Sequence, residues 1–418
     1  MHDPVCQQES KMENFFEFVI SPSLKEQLSC AGFMKPTPVQ AAAIPPGVEG
    51  KDILATAQTG TGKTLAFLIP ILERLLRDGT DGVAALVLVP TRELAMQVAA
   101  QHDALRGRKL PAAALIVGGL SEHHQLEALR RGSRVVVATP GRLEDFLDRG
   151  LIHFRNLKML VLDEADRMLD MGFRPAICRI VAALPKERQT LCFSATMEGD
   201  TARLVKDYTK NPVRLTFGST LKPSENVRLQ AFEAAATGKP ETLRRLLNNE
   251  TGQCLVFART KRGAEKIASH LNREGIQATV IHGDRSQSQR TAALSGFQKG
   301  RYRVLVATDL ASRGIHVENI AHVINYDLPE VAENFIHRVG RTGRAGNRGT
   351  ASTLFVSGQR SDLLQLERQL GVHLERMQLE GLPQDDVRRM IREIPRSPSG
   401  RKPSIVQLPG EVLQLQMD

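Results

Sequence analysis

Tryptophan is absent from the 418 residues and tyrosine occurs three times. A surface that holds nucleic acid by stacking many bases on aromatic rings is therefore not expected; a bound polynucleotide would be gripped by phosphate and sugar. Cysteine is also scarce. The five present (Cys6, Cys30, Cys178, Cys192, Cys254) show no CxxC pairing, which argues against disulfides and thiolate metal sites. Three lie in apolar runs and are expected as buried thiols in a reducing compartment. No apolar run reaches the ~20 residues of a membrane helix, and the N-terminus has no apolar signal core. The cytosol is the expected location, with no membrane partner.

Against these absences stands an excess of positive charge, 56 Lys and Arg over 46 Asp and Glu, a net +10 with a pI near 9.5. Such a balance favours an acidic partner such as nucleic acid, although charge alone does not separate that from a membrane surface or from solubility. The length exceeds what one ordinary core accommodates and suits two domains with a tail.

The most informative stretch is Ala57-Gln58-Thr59-Gly60-Thr61-Gly62-Lys63-Thr64. An apolar step, Asp52-Ile53-Leu54-Ala55, precedes it and reads as a strand. Leu65-Ala66-Phe67-Leu68-Ile69-Pro70 follows and reads as the start of a buried helix. Strand, small-residue loop and helix together make a phosphate loop: main-chain N–H groups converge on an anion at a helix N-terminus. Lys63 then reaches the β- and γ-phosphates, and the Thr64 hydroxyl ligates Mg²⁺. Ala57 departs from the general pattern, which has glycine there.

Short apolar runs at 83–89, 115–117, 134–138, 159–162 and 190–193 alternate with amphipathic helical stretches, the pattern of a parallel sheet covered on both faces. Ligands of such sheets bind beyond the carboxyl ends of the strands. Polar clusters fall there: Pro90-Thr91-Arg92-Glu93, Thr139-Pro140-Gly141-Arg142, Asp163-Glu164-Ala165-Asp166 and Ser194-Ala195-Thr196. Residues 216–226 lack an apolar period and read as a linker. The alternation resumes with runs at 254–257, 279–281, 304–307, 323–326 and 352–356. The division expected is a disordered 1–14, a first domain 15–215, the linker, a second domain 227–378 and a basic, flexible tail 379–418. Ser21-Pro22 marks a helix start and Gly32 its end.

Carboxylates at a strand end about 100 residues after a phosphate loop read as a Walker B site, with Asp163 holding Mg²⁺ through its waters and Glu164 activating the attacking water. From about Phe15 to Val356 the motifs, taken in order, resemble the DEAD-box RNA helicases of superfamily 2, more narrowly a bacterial RhlE-like subgroup. The resemblance implies an α/β chain with two RecA-like domains in tandem, ATP and Mg²⁺ as cofactors, and ATP hydrolysis coupled to local separation of short RNA duplexes. It also implies a monomer bound to RNA.

Further assignments follow from the resemblance alone. Gln40 of Pro36-Thr37-Pro38-Val39-Gln40 would pair with adenine N6 and N7, the geometry a carboxamide offers that base. Phe15 has the spacing to stack on adenine, with Phe16 and Phe18 as alternatives; the other reading is that one or more of the three are staples onto the core. Arg92, Gly119, Thr139, Gly141 and Arg142 of the first domain and Arg259, Gly283 and Thr308 of the second would grip the RNA backbone. Ser194 and Thr196, with Asp166, would couple the two sites. Arg341 and Arg344, three apart in His337-Arg338-Val339-Gly340-Arg341-Thr342-Gly343-Arg344, would act as arginine fingers, typically worth about 10³–10⁵ in rate. His316 stands where the family normally has an Asp that accepts a ribose bond; either the change is tolerated or ATP binds more weakly than usual, and His316→Asp tells which. Two rivals stand beside this reading: a DNA-translocating helicase on the same fold, and an RNA clamp with vestigial ATPase activity.

Overall fold

Every apolar run read as a strand is one in the computed structural model, which describes residues 13–57, 61–79, 81–197, 199–217, 226–309, 320–343 and 348–377. Expectations placed on residues 1–12, Gln58, Thr59, Gly60, 218–225, His316, Arg344 and the tail 379–418 lie outside the described residues.

The first lobe is built on β1 (Ile53–Ala57), β2 (Ala85–Leu88), β3 (Ala114–Ile116), β4 (Val135–Ala138), β5 (Met159–Asp163), β6 (Gln189–Ser194) and β7 (Val213–Phe217). They form one seven-stranded sheet in the order β3-β4-β2-β5-β6-β1-β7, every pairing parallel. Side chains alternate between its two faces, as strand geometry requires. Ile53, Ala55 and Ala57 enter one core with Val87, Val161 and Phe193. Leu54 enters the other with Leu86, Leu160 and Leu162. Burial on both faces explains why the strands read as continuous apolar runs.

Helices α1 (Pro22–Cys30) and α2 (Pro38–Val48) precede β1. Then come α3 (Lys63–Arg77), α4 (Arg92–Leu105), α5 (Glu122–Arg130), α6 (Pro140–Asp148), α7 (Ala165–Asp170), α8 (Arg174–Ala182) and α9 (Gly199–Tyr208). α3 is buried nearly all round, from Leu65 to Leu72, because it lies under α2 and against the sheet.

The second lobe repeats the plan with β8 (Val227–Glu233), β9 (Gln253–Phe257), β10 (Ala278–Ile281), β11 (Val304–Ala307), β12 (Ile320–Asn325), β13 (Gly349–Phe355) and β14 (Glu375–Met377). The order is β10-β11-β9-β12-β13-β8-β14, again all parallel. α10 (Lys239–Asn248), α11 (Lys261–Arg273), α12 (Gln287–Gln298) and helices Ala332–Val339 and Arg360–Leu370 cover it.

Several expectations are corrected. Strands β7, β8 and β14 were not anticipated. β7 and β14 are half-exposed edge strands and β8 mixes Arg228 and Gln230 into its run, so none shows a pure apolar signal. Thr216 and Phe217, placed in the linker, pair with Thr56 and Ala57 as the end of β7. Asn14, placed in the disordered segment, caps a 3₁₀ turn (Phe15–Glu17) by accepting from the Phe16 N–H at 3.0 Å. Ser21 begins α1 in the expected place, but its hydroxyl makes no capping bond; its N–H donates to Glu73 Oε2 at 2.8 Å instead. Cys178 is exposed, and the Tyr208 hydroxyl lies 3.2 Å from its Sγ, while Cys192 and Cys254 are buried as expected.

Candidate nucleotide cleft and nucleic-acid surface

β1 delivers the chain to the phosphate loop and α3 takes it up again. Gly62 sits between them with φ +89°, a left-handed conformation that favours glycine. A β-carbon there would collide with the Gln40 carboxamide, so the absence of a side chain lets α2 press against the loop. Thr37 Oγ1 donates to Thr61 O at 2.7 Å and Gln40 Nε2 to Gly62 O at 2.9 Å. Gln40 Oε1 accepts from the Thr37 N–H at 2.8 Å, closing a capping box. The sequence reading put this carboxamide on adenine; the structure turns it to the loop, leaving one amide hydrogen and one acceptor lone pair. Lys63 is 6% exposed and its Nζ donates to Ala57 O at 3.0 Å, tying the start of α3 to the end of β1.

Phe15 and Phe18 both pack in the core. The Phe15 ring is tilted against Phe18 at 5.7 Å and offers no face to a base; the exposed ring of the three is Phe16. The reason is packing: a phenylalanine beside α1 gains more from the core than from solvent.

Asp163 ends β5 and is buried, with Glu164 next to it at φ 53°. A glutamate in the left-handed region is strained, and such strain collects at functional positions. Burial pushes the Asp163 carboxyl upward; Lys63 opposes this, while the charges of Glu164 and Asp166 add to it. Burial also works against ionised Glu164, but Arg167, Lys63 and Arg341 together hold that carboxyl below the usual range. Arg167, itself buried, donates from Nη1 to Glu164 Oε2 at 2.7 Å. Asp166 accepts from the N–H groups of Ala195 and Thr196, each at 3.0 Å, and its own N–H donates to Ser194 Oγ at 3.2 Å. The strand ends of β5 and β6 are thereby one hydrogen-bonded unit.

From the second lobe, Arg341 follows helix Ala332–Val339, is 2% exposed, and donates from Nε to His337 O at 3.2 Å. Its charge acts on Glu164 across the cleft. Arg338, one turn earlier, is a strut: it grips both oxygens of Asp309 at 2.6 and 2.7 Å and the Asp327 carbonyl at 2.7 Å.

The residues expected on RNA are not equally available. The Arg92 guanidinium lies over Gly118 and Gly119, where a β-carbon would meet it, and Gly119 has φ +77°. Thr139 is buried at the start of α6, and Gly141 is exposed. Arg142 is held by Asp145 at 2.9 Å and Glu122 at 3.3 Å, above the Phe146 ring, while its buried Nε has no hydrogen-bond partner among the described residues. Arg259 is half-exposed, 3.6 Å from Glu330. Gly283 is exposed beside Lys261, and Thr308 is buried with its N–H on Ile281 O at 3.4 Å.

Sequence reasoning passed over the residues by which the lobes touch. Glu93 of the first lobe accepts from Gln287 Nε2 at 3.1 Å and lies 2.9 Å from Arg290 Nη2. Gln287 Oε1 also faces Arg92 Nη1 at 3.4 Å. Glu93 appeared only inside the polar cluster after β2; its buried position against partners almost two hundred residues away has no local signal. Arg167 was likewise missed.

A phosphate loop and an acidic strand end on one parallel sheet, faced by a buried arginine from a lobe whose sheet has the same order, define a two-lobed nucleotide hydrolase. Residues 37–205 match the DEAD/DEAH box helicase family and 238–346 the helicase conserved C-terminal domain. The ATP-dependent RNA helicase vasa of Drosophila melanogaster is 43% identical over 336 residues, 79% of this chain; the chain spans about half of vasa, 51%. The DEAD-box ATP-dependent RNA helicase CshA of Bacillus subtilis is 38% identical over 384 residues, 90% of this chain and 78% of CshA. Saccharomyces cerevisiae Dbp5 bound to RNA and ADP BeF3 superposes with a TM-score of 0.79 at 28% identity, covering 91% of this chain and 98% of that one. The two lobes are RecA-like, and the chain belongs to the DEAD-box family of ATP-dependent RNA helicases.

Proposed function

We propose that this chain hydrolyses ATP in the cleft between its lobes and couples lobe closure to local unwinding or remodelling of short RNA duplexes or RNA–protein complexes. One observation carries the reading: a buried guanidinium of the second lobe, Arg341, lies within electrostatic reach of a buried strand-end carboxylate of the first, Glu164.

Lys63 would exchange Ala57 O for the β- and γ-phosphate oxygens, and main-chain N–H groups from Ala57 to Thr64, including Gln58, Thr59, Gly60, Thr61 and Gly62, would line the anion. Gln40 would meet the adenine edge with its remaining hydrogen and lone pair. The Thr64 hydroxyl and Asp163 supply the hard oxygens that suit Mg²⁺. No group of three or more His, Cys, Asp or Glu suited to a metal exists among the described residues, as fits an ion held largely by phosphate and water. When bound, Mg²⁺ would supply charge neutralisation to the phosphates.

Glu164, kept ionised, would take the proton of the attacking water. Arg341 and Arg344 would stabilise the charge on the transferred group. Asp166, Ser194 and Thr196 would transmit the state of this corner to β6. RNA touching Arg92, Gly119, Thr139 and Gly141 on one lobe and Arg259, Gly283 and Thr308 on the other binds the closed arrangement preferentially and so favours it. Arg142 joins them only after leaving Glu122 and Asp145. A backbone gripped at several points adopts a path a duplex cannot share, so strands part locally.

Both halves of the site lie in one chain, which supports a monomer, and its four described cysteines are free thiols, which supports the cytoplasm. The motif series is the support for a bacterial, RhlE-like subgroup. The test is ATP turnover with no nucleic acid, with single-stranded RNA and with matched DNA. Stimulation by RNA alone is expected. Equal stimulation by DNA favours the DNA-translocating rival, and no stimulation by either removes the reading.

A further inference from the structure

Helix α11 covers the second-lobe sheet with Ala264, Ile267, Ala268 and Leu271. Its opposite face exposes Arg262, Lys266, Ser269 and Arg273. These positions fall at i, i+4, i+7 and i+11, one line along the helix about 16 Å long at ~1.5 Å per residue. None of the three cations forms an ion pair among the described residues. Glu265, the nearest acid within the helix, is turned away to His282 at 2.6 Å and Arg285 at 2.7 Å. Glu274 lies beyond the C-terminus, in the field of Arg244. Like charges at i and i+4 oppose one another, so Arg262 and Lys266 carry a self-repulsion that a polyanion would relieve.

The fold does not require such a face. In the first lobe, α4 occupies the same place, between β2 and β3 as α11 lies between β9 and β10. Its outward residues are Ala100, Asp103 and Ala104, neutral or acidic. The α11 stripe also starts where the second lobe's RNA-facing residues lie. Arg259 is three residues before Arg262, and Lys261 stands beside Gly283.

We propose that α11 is an accessory track for the RNA phosphodiester backbone where the strand leaves the cleft. The proposal rests on the RNA reading above and extends it to a surface outside the gripping residues. At ~3.4 Å per phosphate along a stacked strand, the stripe spans about five nucleotides. Three phosphates neutralised steepen the salt dependence by about 2 in d log K/d log[salt], at ~0.7 each for a single strand.

The test uses the full chain and the triple variant Arg262→Gln, Lys266→Gln, Arg273→Gln, exposed positions where glutamine keeps the helix. Two RNAs are compared over a salt series: the shortest that gives full ATPase stimulation, and the same strand extended by roughly ten nucleotides on each side, ample for a span of about five. The wild type is expected to bind the extended RNA at least ~10-fold more tightly, with a slope steeper by about 2. The variant should lose both gains while binding the short RNA, and being stimulated by it, as the wild type is. Equal binding of extended RNA by both proteins, or equal weakening of both RNAs in the variant, overturns the track. A wild type whose turnover ignores short RNA overturns the parent reading instead, and this one with it.

Discussion

Strand for strand, β3-β4-β2-β5-β6-β1-β7 of the first lobe maps onto β10-β11-β9-β12-β13-β8-β14 of the second, yet the corner after β1 and the corner after β8 serve different ends. Each has a glycine and a lysine at the start of the following helix, Gly62-Lys63 before α3 and Gly238-Lys239 before α10. Gly62 is left-handed, whereas Gly238 is already helical with φ −87°. Lys63 reaches back across its own loop to Ala57 O. Lys239 instead crosses to the end of β12, donating to Tyr326 O at 2.9 Å with Asp327 Oδ1 3.5 Å away. Burial pushes the Lys239 ammonium down, and Asp327 opposes that. The same sheet thus places a lysine near a strand-end aspartate twice. The first returns to the end of its own strand, and the second ties the sheet together. What differs is the backbone of the loop, so chemistry here belongs to the connection and not to the fold.

Breaking the two lysines separately sharpens that contrast most. Lys63→Ala should lower ATP turnover by about 10²–10³, the usual cost of removing one charge-stabilising donor. Lys239→Met should leave turnover per folded molecule unchanged while costing the second lobe about 1–3 kcal/mol, because Tyr326 O loses its buried donor. Steady-state kinetics and denaturant melts on both variants check this; a turnover defect in Lys239→Met that persists at full folding would erase the distinction.

The lobes should also differ in acid. In the second, His322 on β12 is buried against Ser352 Oγ at 2.8 Å, and burial, opposed by Glu250, pushes its imidazole down to about 4. A folded-state value below the ordinary ~6.5 means the unfolded chain binds the proton more readily. The stability this group contributes is present above pH ~6.5 and is lost as pH falls toward about 4, with about 2 kcal/mol gone by pH 5. Melts from pH 7 to 5 should show that loss, and His322→Gln should reduce it; identical pH slopes in both proteins would contradict the assignment.

The smallest effect concerns the seam. Gln287→Ala removes a donor to Glu93 and an acceptor facing Arg92. At about 0.5–1.5 kcal/mol for a net hydrogen bond, RNA-stimulated turnover should fall a few-fold with nucleotide affinity in the absence of RNA unchanged. An unaltered RNA response would show that closure does not pass through this contact.

The legible parts of the site were those written locally. Strand, small-residue loop and helix run consecutively from Ile53 to Leu65, and Asp163-Glu164 follows directly on an apolar strand, so their chemistry could be read from neighbours. Less legible was whatever depends on burial from elsewhere. Phe15 has the spacing of an adenine platform, but its ring belongs to the core beside α1. Gln40 reads as a base-recognising carboxamide, and its first partners are Thr37 and Gly62. Arg142 reads as an RNA contact and is held by Glu122, a residue of another helix. The edge strands β7 and β14 were missed for the same reason: with one side open, half of their apolar signal is absent.

The central claim is that neither lobe completes the hydrolytic site alone. ATP turnover of Arg341→Ala against wild type, at saturating single-stranded RNA, tests it most directly. The account predicts a loss of about 10³–10⁵, roughly 4–7 kcal/mol of barrier, with ATP still bound by the first lobe. A variant that turns over ATP at the wild-type rate would contradict it.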